Sequence, residues 1–386
     1  MRVTIPALRI SEIALPATGK SLRRKLPPAD RLIWIGAMVL MALGTVMVLS
    51  SSVMWAERKF DSPGFFWGRQ LLWWAMATVL MIVLSRIDYR VWQKFTPLLI
   101  FVAFAGLVAV LLIPTDRLVH RWIPLGPFNW QPAEGFRLAF VVYAAAFLAR
   151  RGADLRSVKS WLPLMGVLTV GSLLLMGEPE FSTVLTVWGI TGIMLVAAGV
   201  RWRHVLPACL ALGVAAVLIV SVFEYKTQRI NDWESGLTVT GGSYQVRRSK
   251  IALGTGGFVG EGLGNGRAKM LYLPEPHTDF IIASVGEELG FLGVSGVMIV
   301  LGLLVMRSGR AAARAPDRFG YLVCIGIGGS LFVCAALNLA VATGLAPTTG
   351  LPLPFVSYGG SSLLTTAAAW GIVLNVSRGR VAGGWR

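Results

Sequence analysis

The sequence predicts an all-α integral membrane protein with about ten transmembrane helices. Three observations lead there. Hydrophobic residues make up 55% of the chain and charged residues only 14%, against about 25% charged in a soluble domain. Apolar runs of about 20 residues recur, the length of helix that crosses about 30 Å of hydrocarbon. The alternating segments of a β-barrel are missing, and a backbone in lipid that closes no barrel must satisfy itself in helices.

The expected spans are roughly 32–53, 69–85, 95–114, 136–150, 161–176, 181–199, 205–223, 280–306, 319–343 and 359–376. The fourth and fifth are short, and the fourth carries Arg137. Basic residues orient them. Arg23, Arg24, Lys25 and Arg31 precede the first span. Arg86/Arg90/Lys94, Arg150/Arg151/Arg156/Lys159, Arg201/Arg203 and Arg307/Arg310/Arg314/Arg318 occupy alternate connections, and Arg378, Arg380 and Arg386 end the chain. Threaded through ten spans they fall on one side, so both termini are expected to be cytoplasmic. The net charge of +17 follows from this bias, and nucleic acid is not an expected partner.

Residues 1–31 read as a flexible cytoplasmic tail without a signal-peptide core, 32–377 as one polytopic membrane domain, and 378–386 as a cytoplasmic tail. Cys209, Cys324 and Cys334 lie in apolar runs and read as small core residues. His120, His204 and His277 are scattered, without metal-ligand spacing.

Two extracytoplasmic segments stand out, 115–135 and the long loop 224–279 before the eighth helix. Such long loops are functional or disordered. Here Gly254, Gly256, Gly257, Gly260, Gly262, Gly264 and Gly266 are interleaved with Ile251, Leu253, Phe258 and Leu263, a mixture that predicts an ordered loop with tight turns and short helical pieces. The uncharged stretch from Thr343 to Ser362 carries Pro347, Pro352 and Pro354. Its backbone must be buried in protein or line a cavity. The hydroxyls of Ser357, Tyr358, Ser361 and Ser362 either bond a sugar or phosphate or serve turns and caps.

Asp279 is the leading candidate for chemistry, at the mouth of the eighth span with Arg247, Arg248, Lys250, Arg267 and Lys269 upstream. A cap explains Thr278 or Asp279 equally well, because an Asp or Thr before an apolar run accepts backbone N–H groups. Glu287 and Glu288 lie deeper in the same helix and read as structural groups that hold neighbours together. Glu134 and Arg137, three apart on one helix face, form either an ion pair or, through Arg137, a fork for phosphate. Glu178 and Glu180, in a short turn between two spans, either bind a cation or only solvate the turn, and the solvating reading is favoured.

These residues, in this order, resemble the SEDS (FtsW/RodA/SpoVE) family of peptidoglycan glycosyltransferases over nearly the whole chain after the tail. The resemblance rests on Arg121-Trp122-Ile123, Gln131-Pro-Ala-Glu134, Tyr244-Gln245 with Ser249, Gly262-Leu-Gly-Asn265, Tyr272-Leu-Pro-Glu-Pro-His-Thr-Asp-Phe280, Gly286-Glu-Glu-Leu-Gly290 and Gly350-Leu-Pro-Leu-Pro-Phe-Val-Ser-Tyr-Gly-Gly-Ser-Ser362. Gly264-Asn265 with Lys269, and Pro347-Thr-Thr-Gly-Leu-Pro352, look more like the division branch than the elongation branch. Ala133, Arg137, Glu180 and Arg248 depart from the common pattern.

The resemblance implies polymerisation of lipid II at the outer face of the bacterial cytoplasmic membrane, at the septum for a division enzyme. It implies Asp279 as general base. The implied substrate contacts are Arg121, Trp122, Glu134, Arg137, Arg229, Arg248, Lys269, His277 and Ser357. It leaves room for a divalent cation (Mg or Mn), calls for no organic cofactor, and implies a class B penicillin-binding protein and other divisome or elongasome proteins as partners. Undecaprenyl pyrophosphate is the implied leaving group. The competing readings are a lipid II flippase, a non-catalytic scaffold that recruits a transpeptidase, and an elongation enzyme.

Overall fold

Apolar runs bounded by capping and turn residues fold as helices throughout the computed structural model, which describes residues 29–113, 121–126, 128–150, 157–178, 180–201, 203, 244–267 and 276–379. The helices are α1 (Arg31–Phe60), α2 (Phe65–Arg86), α3 (Arg90–Lys94), α4 (Thr96–Leu112), α5 (Pro132–Arg150), α6 (Val158–Gly177), α7 (Phe181–Ala197), α8 (Tyr244–Thr255), α9 (Ile281–Ala313), α10 (Arg318–Thr343) and α11 (Gly360–Ser377). The Asp30 and Asp317 carboxylates cap α1 and α10, accepting the N–H groups of Leu32 at 3.0 Å and Gly320 at 2.7 Å. They satisfy amides that a helix start leaves without partners. Pro132 opens α5, where a missing N–H costs nothing.

Six helices are long and apolar enough to cross a membrane, and α4 and α7 are shorter apolar helices. The expected span 205–223 lies outside the described residues; each of the other nine coincides with a helix. The tail residues 1–28 and 380–386 also lie outside them. Polarity is distributed as hydrocarbon solvent requires. Thr45, Ser52, Gln70, Thr186 and Asn338 are buried between helices, while Val79, Phe101, Leu112 and Ile299 are exposed outside. The chain is a multi-pass, all-α membrane protein. α11 packs along α2, α9 along α10 and α1, and α5 along α4 and α10. Phe136, Phe140, Phe319, Phe355 and Trp370 are among the fully buried side chains of this core.

One element departs from the sequence expectation. The segment before α5 contains an antiparallel hairpin, β1 (Ile123–Leu125) and β2 (Phe128–Trp130), with Ile123 opposite Trp130. Strands of three residues are too short to show an alternating pattern.

The glycine-rich loop and the acids of α9 explain each other. α9 breaks at Gly290, whose backbone (φ 68°, ψ −165°) is not helical. The break frees two carbonyls and two amides, and the loop takes up all four. Glu261 and Gly262 donate N–H to the Glu287 and Glu288 carbonyls at 2.9 and 3.0 Å, while Phe291 and Leu292 donate to Gly257 and Phe258 at 2.9 and 3.2 Å. The side chains complete the joint. Glu287 accepts Arg267 N–H at 2.8 Å, and Glu288 accepts Gly264 N–H at 3.0 Å and the Ser50 hydroxyl of α1 at 2.6 Å. Irregular backbone at a membrane helix is tolerated only when protein satisfies it in this way. Both glutamates are structural, as the sequence predicts.

Candidate active site

At one end of the bundle the starts of α2, α5, α7, α9 and α11 surround a cleft of about 620 Å³. Asp279 lines it, with Arg69, Arg121, Trp122, Gln131, Glu180, Gly350, Tyr358 and Ser362. The chain reaches this point in a turn, residues 276–280, that precedes α9. Phe280 is the N-cap of α9, and no side chain caps it. Asp279 thus stands one position before the N-cap, with its side chain lining the cleft.

The turn is held by the proline- and glycine-rich stretch before α11. Tyr358 N–H donates to the His277 carbonyl at 2.9 Å. The Ser357 hydroxyl donates to the Thr278 carbonyl at 2.6 Å and accepts Leu353 N–H at 2.8 Å. The Asn338 amide of α10 donates to the carbonyls of Asp279 at 3.0 Å and Leu351 at 2.8 Å. A methyl group on Gly350 would stand 3.5 Å from Asp279 Oδ2, so the carboxylate faces this stretch across the cleft floor. Ser361 clamps the other wall: its Oγ accepts Gln131 N–H and donates to the Asn129 carbonyl, both at 3.1 Å.

Opposite charges meet inside the cleft. Arg121 Nε lies 3.0 Å from Glu180 Oε1 and donates to the Glu178 carbonyl at 3.3 Å. Gln131 donates to the same Glu180 oxygen at 2.9 Å. Burial raises the Glu180 carboxyl and Arg121 opposes the shift. Arg69 is exposed and stacks on Phe65. Among the described residues no group of three His, Cys, Asp or Glu side chains is placed to hold a metal ion.

Glu178, in the same turn, is fully buried, and both carboxyl oxygens lack a hydrogen-bond partner among the described residues. Burial, with Glu180 nearby, pushes it from the ordinary 4.5 to about 8. The folded form thus holds a proton that the unfolded chain releases near 4.5. Stability is full below that pH and falls as pH rises through about 8. Unfolding temperatures measured in detergent from pH 5 to 9 are expected to decline, and Glu178→Gln is expected to flatten the decline; parallel curves would refute this.

Of the ten site residues predicted from sequence, the cleft brings together Asp279, Arg121 and Trp122. Arg229 and Lys269 lie outside the described residues. Glu134 and Arg137 are buried and bridged at 2.5 Å, with Arg137 also touching Cys334, and neither lines the cleft. The ion pair that the sequence offered for these two residues is present. Arg248 sits on α8 against the ring of Tyr244, also away from the cleft lining. His277 is buried against Phe66 and Tyr358, and burial pushes its imidazole down to about 4. Its imidazole is therefore uncharged at neutral pH.

Ser357, expected at the substrate, is a buried brace with both hydrogen-bonding directions used. Ser357→Ala is expected to cost about 1–3 kcal/mol in stability through the unsatisfied groups it leaves, with KM unchanged in the surviving fraction; a raised KM at unchanged stability would restore the substrate role.

Sequence reasoning missed Arg69, Glu180 and Gln131. Arg69 carried a usable signal, a cation at the end of a span that the threading assigns to the side depleted of them. Glu180 had none: two acids in a turn look solvated until folding buries them.

The family model FTSW_RODA_SPOVE, described as "Cell cycle protein", matches residues 30–381. Stage V sporulation protein E of Bacillus subtilis is 38% identical over 359 residues, covering 90% of this chain and 97% of that protein. The probable peptidoglycan glycosyltransferase FtsW of Trichlorobacter lovleyi is 39% identical over 360 residues, covering 92% and 94%. Among solved structures, a chain from "Structural coordination of polymerization and crosslinking by a peptidoglycan synthase complex" superposes with a TM-score of 0.76 at 26% identity, covering 91% of this chain and 98% of that one. The crystal structure of the Thermus thermophilus rod shape determining protein RodA gives 0.68 at 25% identity, covering 92% and 98%. With a family model spanning nearly the whole chain and relatives matched end to end, this protein belongs to the FtsW/RodA/SpoVE family.

Proposed function

We propose that this chain is a peptidoglycan glycosyltransferase that polymerises lipid II in septal wall synthesis, with Asp279 as the general base. The carrying observation is that Asp279 lines a cleft of about 620 Å³ beside two arginines, with its backbone held on both sides. Lipid II is a diphosphate-linked disaccharide, so its polymerisation needs a base for a weak hydroxyl nucleophile and cations for a diphosphate leaving group. The cleft supplies both.

The 4-hydroxyl oxygen of the acceptor GlcNAc attacks the anomeric carbon of the donor MurNAc. Its proton passes to the Asp279 carboxylate. The bond from that carbon to the pyrophosphate oxygen breaks, and the electron pair leaves with undecaprenyl pyrophosphate. Arg69 and Arg121 face the growing negative charge. Attack opposite the leaving group inverts the α-linked donor to a β-linked strand. Glu180 and Gln131 hold Arg121 in place, so they position a charge and do not touch the reacting atoms. A divalent cation, where one takes part, would be held by one or two carboxylates together with the substrate diphosphate, and the described cationic side chains that line the cleft are Arg69 and Arg121.

The cleft is assigned to the extracytoplasmic face in this reading, and the basic residues at the opposite helix ends, such as Arg31, Arg86, Arg310 and Arg378, support it. A class B penicillin-binding protein is the proposed partner, supported by the structural likeness to a chain of a peptidoglycan synthase complex. The deciding measurement is glycan polymerisation from purified lipid II by the chain with that partner, wild type against Asp279→Asn. Transport of lipid II across vesicles without polymerisation would favour the flippase reading instead.

A further inference from the structure

At the end of the bundle opposite the cleft, a pocket of about 200 Å³ opens between the start of α1 and the ends of α9 and α11. Both α9 and α11 begin at the cleft and run away from it. The 18 residues of α11 alone span about 27 Å at 1.5 Å per residue. Four arginines line the pocket: Arg31 from the first turn of α1, and Arg307, Arg310 and Arg314 from α9. Spacings of three and four place the last three on one helix face.

Asp30 is the one acid in the lining, and it is already committed. One oxygen accepts Leu32 N–H at 3.0 Å and the other pairs with Arg307 at 2.6 Å. The Asp30 N–H donates to Ser377 Oγ at 3.1 Å, which ties the rim of the pocket to the end of α11. Among the described residues no carboxylate pairs with Arg31, Arg310 or Arg314.

Arginines at helix ends ordinarily spread outward toward water. Here they converge on a concave space whose acid is consumed, and like charges at short range repel. A guanidinium matches a phosphate group through parallel hydrogen bonds, and basic pockets between helix ends at a membrane surface suit lipid headgroups. We propose that this pocket binds a phosphate-bearing anion, held by Arg31, Arg310 and Arg314. The inference rests on the membrane placement of the helices and is independent of the role of Asp279.

The test uses the full chain in neutral detergent, titrated with short-chain phosphatidylglycerol, short-chain phosphatidylcholine or inorganic pyrophosphate and read by native mass spectrometry. Phosphatidylglycerol is expected to bind at least tenfold more tightly than phosphatidylcholine, and Arg310→Gln/Arg314→Gln is expected to erase that preference. Arg58→Gln, an exposed charge at the other end of α1, is expected to keep it. Pyrophosphate binding that the double variant loses would support the site with a soluble anion as its source. Equal anion binding by wild type and double variant, or no preference for either anion, would overturn the proposal. Both arginines are exposed, so the variant is expected to fold, and binding in micelles does not depend on which leaflet the pocket faces.

Discussion

Asp279→Asn is expected to lower lipid II polymerisation by about 10²–10⁴-fold, the usual contribution of a positioned base, while the protein still reaches the membrane. The substitution keeps shape and hydrogen-bonding reach and removes only the ability to take a proton. It also separates the two explanations that the sequence left standing. Asn caps helices as well as Asp does, so a capping role requires near-normal activity from the variant. The N-cap position of α9 is Phe280, whose side chain makes no cap bond. Polymerisation by Asp279→Asn within a few-fold of wild type, with the partner present, would remove Asp279 from the mechanism. A scaffold would tolerate the change equally well, so the same assay tests that reading.

The largest structural effect is expected at the joint between the glycine-rich loop and α9. Gly290 holds φ 68° and ψ −165°, a region essentially closed to residues with a side chain, at a strain of about 1–3 kcal/mol. A Cβ there would also stand 2.4 Å from Gly260 N and 2.6 Å from the Phe258 carbonyl oxygen, where backbone has no room to yield. Gly256 is closed for the second reason alone, because its Cβ would meet the Gly286 carbonyl oxygen. Gly290→Ala is expected to cost roughly 3–5 kcal/mol, seen as a large fall in unfolding temperature and yield. Gly256→Ala follows the same direction. Gly254→Ala is the internal control: nothing lies within 4 Å of its Cβ, and Ala is favoured in a helix by about 0.5–1 kcal/mol. Equal tolerance of Gly290→Ala and Gly254→Ala would mean that the loop does not brace the helix. Because α9 starts two residues after Asp279, such a loosening is also expected to reduce polymerisation by more than the lost protein accounts for.

Different parts of the molecule were legible in the sequence for different reasons. The spans were, since hydrophobicity at membrane length is a one-dimensional signal. Their ends were less so: α1 continues past the expected end at 53 to Phe60, and α9 past 306 to Ala313. A helix keeps its hydrogen bonds beyond the apolar stretch, and basic residues such as Arg58, Lys59 and Arg310 suit its carbonyl end. The structural role of Glu287 and Glu288 was legible in outline, because acids at that depth need partners. That their partners are the amides of Gly264 and Arg267 was not.

By itself the sequence determined the fold class and the family, because each is written in local pattern: apolar length and ordered motifs. It left Asp279 between a helix cap and the base that the family resemblance implies. Only the tertiary structure decided which polar residues share a space. Arg137 and Ser357 sit in motifs as prominent as that of Asp279, yet folding turns them inward to Glu134 and to the Thr278 carbonyl. Arg69 and Glu180, 111 positions apart, are brought to one cleft. The physical reason is that burial and pairing depend on what packs opposite a side chain, and in a bundle those neighbours come from helices distant in sequence.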